Sequence, residues 1–518
     1  MNGAEIILQT AQKAGVEICF ANAGTTELPL VAAFDTIGGI RPVLGLFEGV
    51  CTGAADGYGR MKQKPAMTLL HLGPGFANGI ANLHNARRAH TPIFNVIGEH
   101  ASWHLAADPP LNMDIAAVAK TVSGWQRTSR GVESLPQDTA EALVASLYGQ
   151  ISTLIVPADH QWSEYEGGKV SMPRFSFDAP DSKNIDTAAE LLKKSSKPAL
   201  LLGCNALRKP CLEAAAKIKA ATGCDLLMVN FPAYQDSGAG FPVLKRIPYF
   251  PEQADALLSQ YDTFILAGTE EPVVFFGYKG GKSRYLTEKQ KSLRIDSDKQ
   301  DPAAALQALL QAVGFSQGKY DIGSLLTKYE LPQLPSGGLN SKKMCAVIAA
   351  LQPENCIVVE EGVTSGAPYY SLAPNLKPYS HIALTGGAIG QGMPCALGAA
   401  LACPDRQVIN IEADGSAMYT LQSLWSQSHE QANVTTIICS NRKYFTIEFE
   451  CRRAGCATPG PASRALIDMT NPSIDWVSLS RGMNVPAVAV TTAEDMVKEL
   501  RSALNESGPH LIEVILGK

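Results

Sequence analysis

No two of the twelve cysteines stand in C-x-x-C spacing. That removes the commonest sequence signature of a zinc site or a dithiol redox centre. Several thiols fall inside apolar runs, Cys224 in "CDLLMV" and Cys439 in "TTIICS", where a thiol serves as a small core hydrophobe. The expected setting is a reducing cytoplasm, not a disulfide framework. No run of lysine and arginine is long enough to suit a polyanion, so nucleic acid is not expected as a partner. Pairs such as Lys193-Lys194 and Arg452-Arg453 read as solvated surface. No uninterrupted apolar stretch reaches bilayer length, and the opening "MNGAEIILQTAQKAG" reads as an amphipathic helix without a basic leader. Neither a membrane nor a secretion signal is expected. No G-x-G-x-x-G stands between a strand and a helix, which gives hydride chemistry on NAD little support.

What the chain does have is core-forming material. Of its 518 residues 46% are hydrophobic and 18% charged, with 44 basic against 49 acidic side chains and a net charge of -5. Such a chain is too long for one ordinary core and too apolar to be disordered. Apolar strand, turn and helix alternate from end to end, which predicts α/β architecture with parallel sheets. Three doubly wound blocks are expected, at residues 1–165, 185–330 and 340–518. They are divided by "EGGKVSMPRFSFDAPDSKN" and "YELPQLPSGGLNSKK", stretches rich in Gly, Pro, Ser and charge without sustained period.

Residues 412–444 carry the strongest chemical pattern. Asp414 follows the apolar strand "QVINIE", and Asn441 follows the next one, "TTIICS", with a helix between. In open parallel sheets ligands collect at the carboxyl ends of strands. A carboxylate and an amide oxygen there suit a hard cation such as Mg2+, which bridges to phosphate. Gly415 and Ser416 leave backbone N–H groups free at a helix start, where an anion is favoured. Either residue alone is equally at home as a helix cap or a strand-ending turn.

The whole stretch resembles the diphosphate-binding signature of thiamin diphosphate enzymes, Gly-Asp-Gly-Ser, a helix, then a strand ending in Asn-Asn. Here it reads Ala413-Asp414-Gly415-Ser416 and Ser440-Asn441. Two positions depart from the pattern, and neither removes a metal ligand. The resemblance implies Mg2+ held by Asp414, Asn441 and the main-chain oxygen of Lys443. "LFEGVCTGAADGYGR" is similar to the family's element for the aminopyrimidine ring, with Glu48 as the acid at a strand end. "GGAIGQGMPCALGAA" resembles the loop that holds the cofactor bent, implying Ile389 as the wedge and close backbone approach at Gly387 and Gly390. "EEGVTSGAP" nominates Thr364 and Ser365 as diphosphate donors, and "FANAGTTELPL" puts Gly24 and Thr25 toward the substrate.

The resemblance spans all three blocks and is closest to 2-oxo acid decarboxylases of benzoylformate decarboxylase type and to acetolactate synthases. His71 in "TLLHLGPGFANG" matches the decarboxylases, while Gly73-Pro74-Gly75 matches the synthases. It implies a thiamin diphosphate- and Mg2+-dependent, non-oxidative decarboxylation of a 2-oxo acid, with carboligation to a 2-hydroxy ketone as a further outcome. His71, Glu448 and Tyr444 are the expected proton-handling groups beside Glu48, and Tyr278 is a candidate to reach over the pocket. The middle block lacks the glycine-rich segments of flavin-binding synthases, so FAD is not expected. Glu48 and the Asp414 clamp come from different chains in this family, which implies a homodimer or a homotetramer. An acetolactate synthase and a catalytically silent cofactor-binding subunit are the alternatives.

Overall fold

The computed structural model describes residues 1–167, 174–455 and 460–517. Three sheets account for the architecture. In the first, Arg41–Leu44, Ile18–Asn22, Ala66–Leu70, Ile93–Glu99, Ile151–Pro157 and Trp125–Thr128 lie side by side, every neighbouring pair parallel. Its central strands, Ala66–Leu70, Ile93–Glu99 and Ile151–Pro157, are buried along their whole length. Helices on both faces require that, and it explains why these segments read as apolar runs and not as alternating patterns.

The second sheet is also wholly parallel, in the order Lys245–Arg246, Asp225–Met228, Pro198–Leu202, Thr263–Ala267, Lys291–Arg294. The third runs Ala487–Val490, His510–Ile515, Val434–Ser440, Val408–Ala413, Ile357–Glu361, Tyr379–Ala383 and finally Gln235–Ser237. The last pairing is antiparallel and brings residues from the middle of the sequence onto the edge of the third sheet. The first linker stretch lies partly outside the described residues, at 168–173, and its end already belongs to helix Ser182–Lys194. Among the described residues no helix is long and apolar enough to cross a membrane.

The first and third sheets share one core, in which Phe20, Leu70 and Ile97 join the same cluster as Ile357, Ile382 and Val408. Two small-residue helices, Glu48–Lys62 and Gly392–Ala402, make the junction. They approach so closely that a Cβ on Gly57 would strike the carbonyl of Cys395, and one on Gly398 the carbonyl of Ala54. Arg60 locks this junction from the side. It is fully buried with Asp56, which it grips at 2.8 and 2.6 Å. Its Nη1 donates to the carbonyls of Ala383 at 2.8 Å and Ala233 at 3.3 Å, and its Nη2 also to the Thr385 hydroxyl at 3.1 Å. One side chain therefore ties the first block to segments on either side of the third sheet's edge.

Candidate active site

Val408–Ala413 and Val434–Ser440 are adjacent parallel strands, so their carboxyl ends deliver Asp414 and Asn441 to the same edge of the third sheet. Asp414 opens a short helix and is only 3% exposed. Its Oδ1 accepts the Gly415 N–H at 2.9 Å and its Oδ2 the Arg442 N–H at 2.6 Å. Asn441 Oδ1 accepts the Lys443 N–H at 3.0 Å. Arg442, at φ 57°, adopts the left-handed turn that folds this segment back over the carboxylate. Burial pushes the Asp414 carboxyl up to about 6, more than the two backbone N–H groups pull it down. Among the described residues no lysine or arginine pairs with it.

The surroundings of this carboxylate suit a phosphorylated cofactor with a divalent cation. Carboxylate, amide and main-chain oxygens form a hard donor set. Thr364 and Ser365 follow the neighbouring strand Ile357–Glu361. Their hydroxyls, and that of Ser416, engage no other described residue and are available as donors. Gly415 leaves room where a Cβ would meet the Tyr444 ring at 2.6 Å. Tyr444 thus lies against the Asp414 turn, and burial raises its phenol.

The loop that carries Ile389 is gripped from three sides. Asn85 Nδ2 donates to the Ala388 carbonyl at 2.7 Å, and Asn82 Nδ2 donates to that of Gly390 at 3.2 Å. The Thr420 hydroxyl reaches the same Gly390 carbonyl at 3.0 Å. The Gly390 N–H donates to buried Glu361 at 2.7 Å, as does the Gly392 N–H. Gly387 and Gly390 both have positive φ, 77° and 95°. Beneath the loop Glu361 and Glu412 are both buried, and burial raises both carboxyls, the Glu361 charge adding to the effect on Glu412.

A second constellation forms at the carboxyl ends of the first sheet. Glu48 is the first residue of helix Glu48–Lys62, four residues beyond the strand Arg41–Leu44. The intervening turn, which an apolar run conceals, moves it from strand end to helix start. Its Oε2 accepts from Asn78 Nδ2 at 3.0 Å. A Cβ on Gly75 would lie 3.0 Å from Glu48 Oε1 and 3.3 Å from His71 Cβ, so the two side chains flank the same glycine. The His71 ring rests on the backbone of Gly24, and its Nδ1 faces Glu27 Oε2 at 2.7 Å. Thr25 is exposed next to it. Within one chain, no hydrogen bond or ion pair among the described residues joins Glu48 or His71 to Asp414 or Asn441.

Glu448 stands on helix Phe445–Arg453 between Lys443, at 2.9 Å, and Arg452. The Lys443 hydrogen bond holds its carboxyl below the usual range, which favours a lasting carboxylate over a proton donor. Tyr278 reaches the same helix, within 3.3 Å of Glu450 and of Arg453. The residues that sequence reasoning missed are those holding others in place: Glu27, Asn82, Asn85 and Glu361. The signal for Glu27 was a buried-looking acid three residues after Gly24, which the local pattern disguises as a helix cap.

Residues 1–118 match the family model described as "Thiamine pyrophosphate enzyme, N-terminal TPP binding domain", and residues 364–514 match its C-terminal counterpart. A Mycobacterium tuberculosis protein provisionally named acetolactate synthase large subunit IlvX is 43% identical over the whole chain and 99% of its own length. The benzoylformate decarboxylase of Pseudomonas aeruginosa is 27% identical, with 96% of each chain covered. Among solved structures, the thiamine diphosphate-dependent 4-hydroxybenzoylformate decarboxylase of Rhodococcus jostii superposes with a TM-score of 0.87 at 24% identity, over 100% of this chain and 99% of that one.

Proposed function

Since the chain belongs to the thiamine pyrophosphate enzyme family, we propose that it carries out Mg2+-dependent, non-oxidative decarboxylation of a 2-oxo acid, with carboligation to a 2-hydroxy ketone as a second outcome. The observation that carries this reading is Asp414, a buried carboxylate raised to about 6 without a cation partner, beside Asn441. Asp414, Asn441 and the Lys443 carbonyl would hold Mg2+, and Thr364, Ser365, Gly415 and Ser416 would hold the diphosphate. When bound, thiamin diphosphate supplies a nucleophilic carbon and an electron sink for the electrons that CO2 leaves behind.

The chain's own residues orient, exclude water and move protons. Glu48 holds a proton at Oε1, the oxygen beside Gly75, while Asn78 fixes its Oε2. His71 exchanges a proton at Nε2, because Nδ1 is turned to Glu27. Ile389 and Gly387 set the shape of the cavity wall, and Gly24 and Thr25 face the substrate. Glu448 and Tyr444 complete the polar lining, Glu448 as a standing negative charge.

A homodimer, or a homotetramer built from it, completes each site by bringing one protomer's Glu48 to its partner's clamp. Exposed apolar side chains stand close in sequence to both halves: Leu44 and Leu46 before Glu48, and Met418 and Tyr419 after Asp414. The eleven cysteines among the described residues are all free, which accords with a reducing cytoplasm.

A second reading, acetolactate synthesis from pyruvate, is favoured by the 43% identical relative and by Gly73-Pro74-Gly75. The test is a panel of 2-oxo acids with thiamin diphosphate and Mg2+, run with and without an acceptor aldehyde, products identified by mass. Thiamin-dependent CO2 release is expected. Acetolactate from pyruvate selects the second reading, and no release from any acid replaces both with a catalytically silent subunit.

A further inference from the structure

Three donors converge on one carboxylate beneath His71. Glu27 is completely buried, while the His71 side chain is 26% exposed. Glu27 Oε2 faces the Gly24 N–H at 2.7 Å and His71 Nδ1 at 2.7 Å. Glu27 Oε1 accepts from the Thr26 hydroxyl at 2.5 Å, and that hydroxyl oxygen stands 3.2 Å from His71 Nδ1. The carboxylate cannot turn away, because Gly98 closes behind it so tightly that a Cβ there would strike Glu27 itself. The imidazole cannot slide, because it lies on the Gly24 backbone.

We infer that Glu27 is a positioning residue that fixes His71 as the Nδ1–H tautomer and so leaves the ring's lone pair on Nε2. A carboxylate only accepts, so a ring nitrogen held 2.7 Å from it must carry the hydrogen. The tautomer of a histidine is set by the hydrogen bond its other nitrogen makes. The neutral ring therefore has its lone pair on Nε2, the one ring atom able to take a proton. Glu27 touches no reacting atom and acts through the imidazole alone. A second reading gives Glu27 only the local task of capping the turn at Gly24. The two make opposite predictions for the tautomer once the acceptor is removed.

Glu27→Gln keeps an amide oxygen at the Oε2 position, which the Gly24 N–H and His71 Nδ1 share, and puts its NH2 group at the Oε1 position, facing the Thr26 hydroxyl. It therefore preserves both the cap and the tautomer. Glu27→Met removes every acceptor at similar side-chain length and frees the proton to move to Nε2. The experiment uses the full chain without cofactor, carrying ring-15N histidine, with two-bond proton–nitrogen correlation spectra. The His71 signals are assigned by their loss in His71→Gln. Wild type and Glu27→Gln should both show protonated Nδ1 and bare Nε2, and Glu27→Met the reverse or a mixture. An Nε2–H tautomer in wild type overturns the inference, whether or not Glu27→Met folds. So does an unchanged Nδ1–H tautomer in Glu27→Met.

The consequence for turnover rests on the proposed decarboxylase reading. There Glu27→Met should lower kcat on the order of 10²- to 10⁴-fold with thiamin diphosphate affinity unchanged. Glu27→Gln should retain most of the wild-type rate. Wild-type turnover retained in Glu27→Met also overturns the inference. Absence of turnover in wild type counts against the proposed function alone, since the tautomer is read in the apoprotein.

Discussion

A carboxyl group sealed away from water favours its neutral form, and Asp414 does so at the tip of a strand. Its folded value of about 6 lies above the ordinary 3.8. Between those pH values the folded chain keeps a proton that the unfolded chain has released. Stability from this group is therefore fully present below about pH 4, falls as pH rises through 6, and is lowest above it. The cost is about 3 kcal/mol, and a bound cation would offset it. Thermal melts of the apoprotein should lose this contribution from pH 5 to pH 7.5. Mg2+ with thiamin diphosphate should raise the melting temperature far more at pH 7.5 than at pH 5. Asp414→Asn should abolish both trends, and a melting temperature indifferent to Mg2+ at pH 7.5 would remove Asp414 as a metal ligand. Glu48→Gln should bind thiamin diphosphate as wild type yet lose most turnover, on the order of 10²-fold or more, which calorimetry alongside a CO2 assay measures. Asp414 and Asn441 were legible because a polar residue after a buried strand must sit at a sheet edge, where ligands collect. Glu27 was not, because its partner His71 is 44 positions away in sequence and only the packed sheet brings them together.

The two small-residue helices, Glu48–Lys62 and Gly392–Ala402, could be seen in the sequence as helices, but not as each other's partners. Their contact depends on backbone approach, which leaves no apolar stripe to read. Gly57→Ala inserts a methyl group against the Cys395 carbonyl and should destabilise the chain by about 1–3 kcal/mol. Arg60→Ala strips the cation from buried Asp56 and should cost about 3–5 kcal/mol. Urea unfolding checks both. Equal midpoints for Arg60→Ala and wild type would show that the pair is relaxed in some other way. The strand Gln235–Ser237 escaped detection for a simpler reason. Three residues are too few to display a period of two, and its pairing partner lies some 140 positions downstream.

At the scale of the whole molecule, the proposed dimer would cover the exposed apolar side chains that precede Glu48 and follow Asp414. Sedimentation at micromolar concentration should give at least twice the chain mass. Leu44→Asp combined with Leu46→Asp should shift it to the monomer and abolish turnover together, with the circular dichroism spectrum unchanged. An active monomer would break the link between the assembly and the site. The parallel α/β class was legible because the central strands, buried on both faces, write themselves as apolar runs. The sharing of one core by the first and third sheets was not, since nothing in either run names its neighbour. The borrowed edge strand at 235–237 has an engineering corollary. Transplanting the middle segment from another member of the superfamily would carry off the piece that seals Tyr379–Ala383, and leave a bare β-edge ready to stick to other molecules. Hybrid proteins should therefore keep that tripeptide native, or exchange both halves of the seam at once.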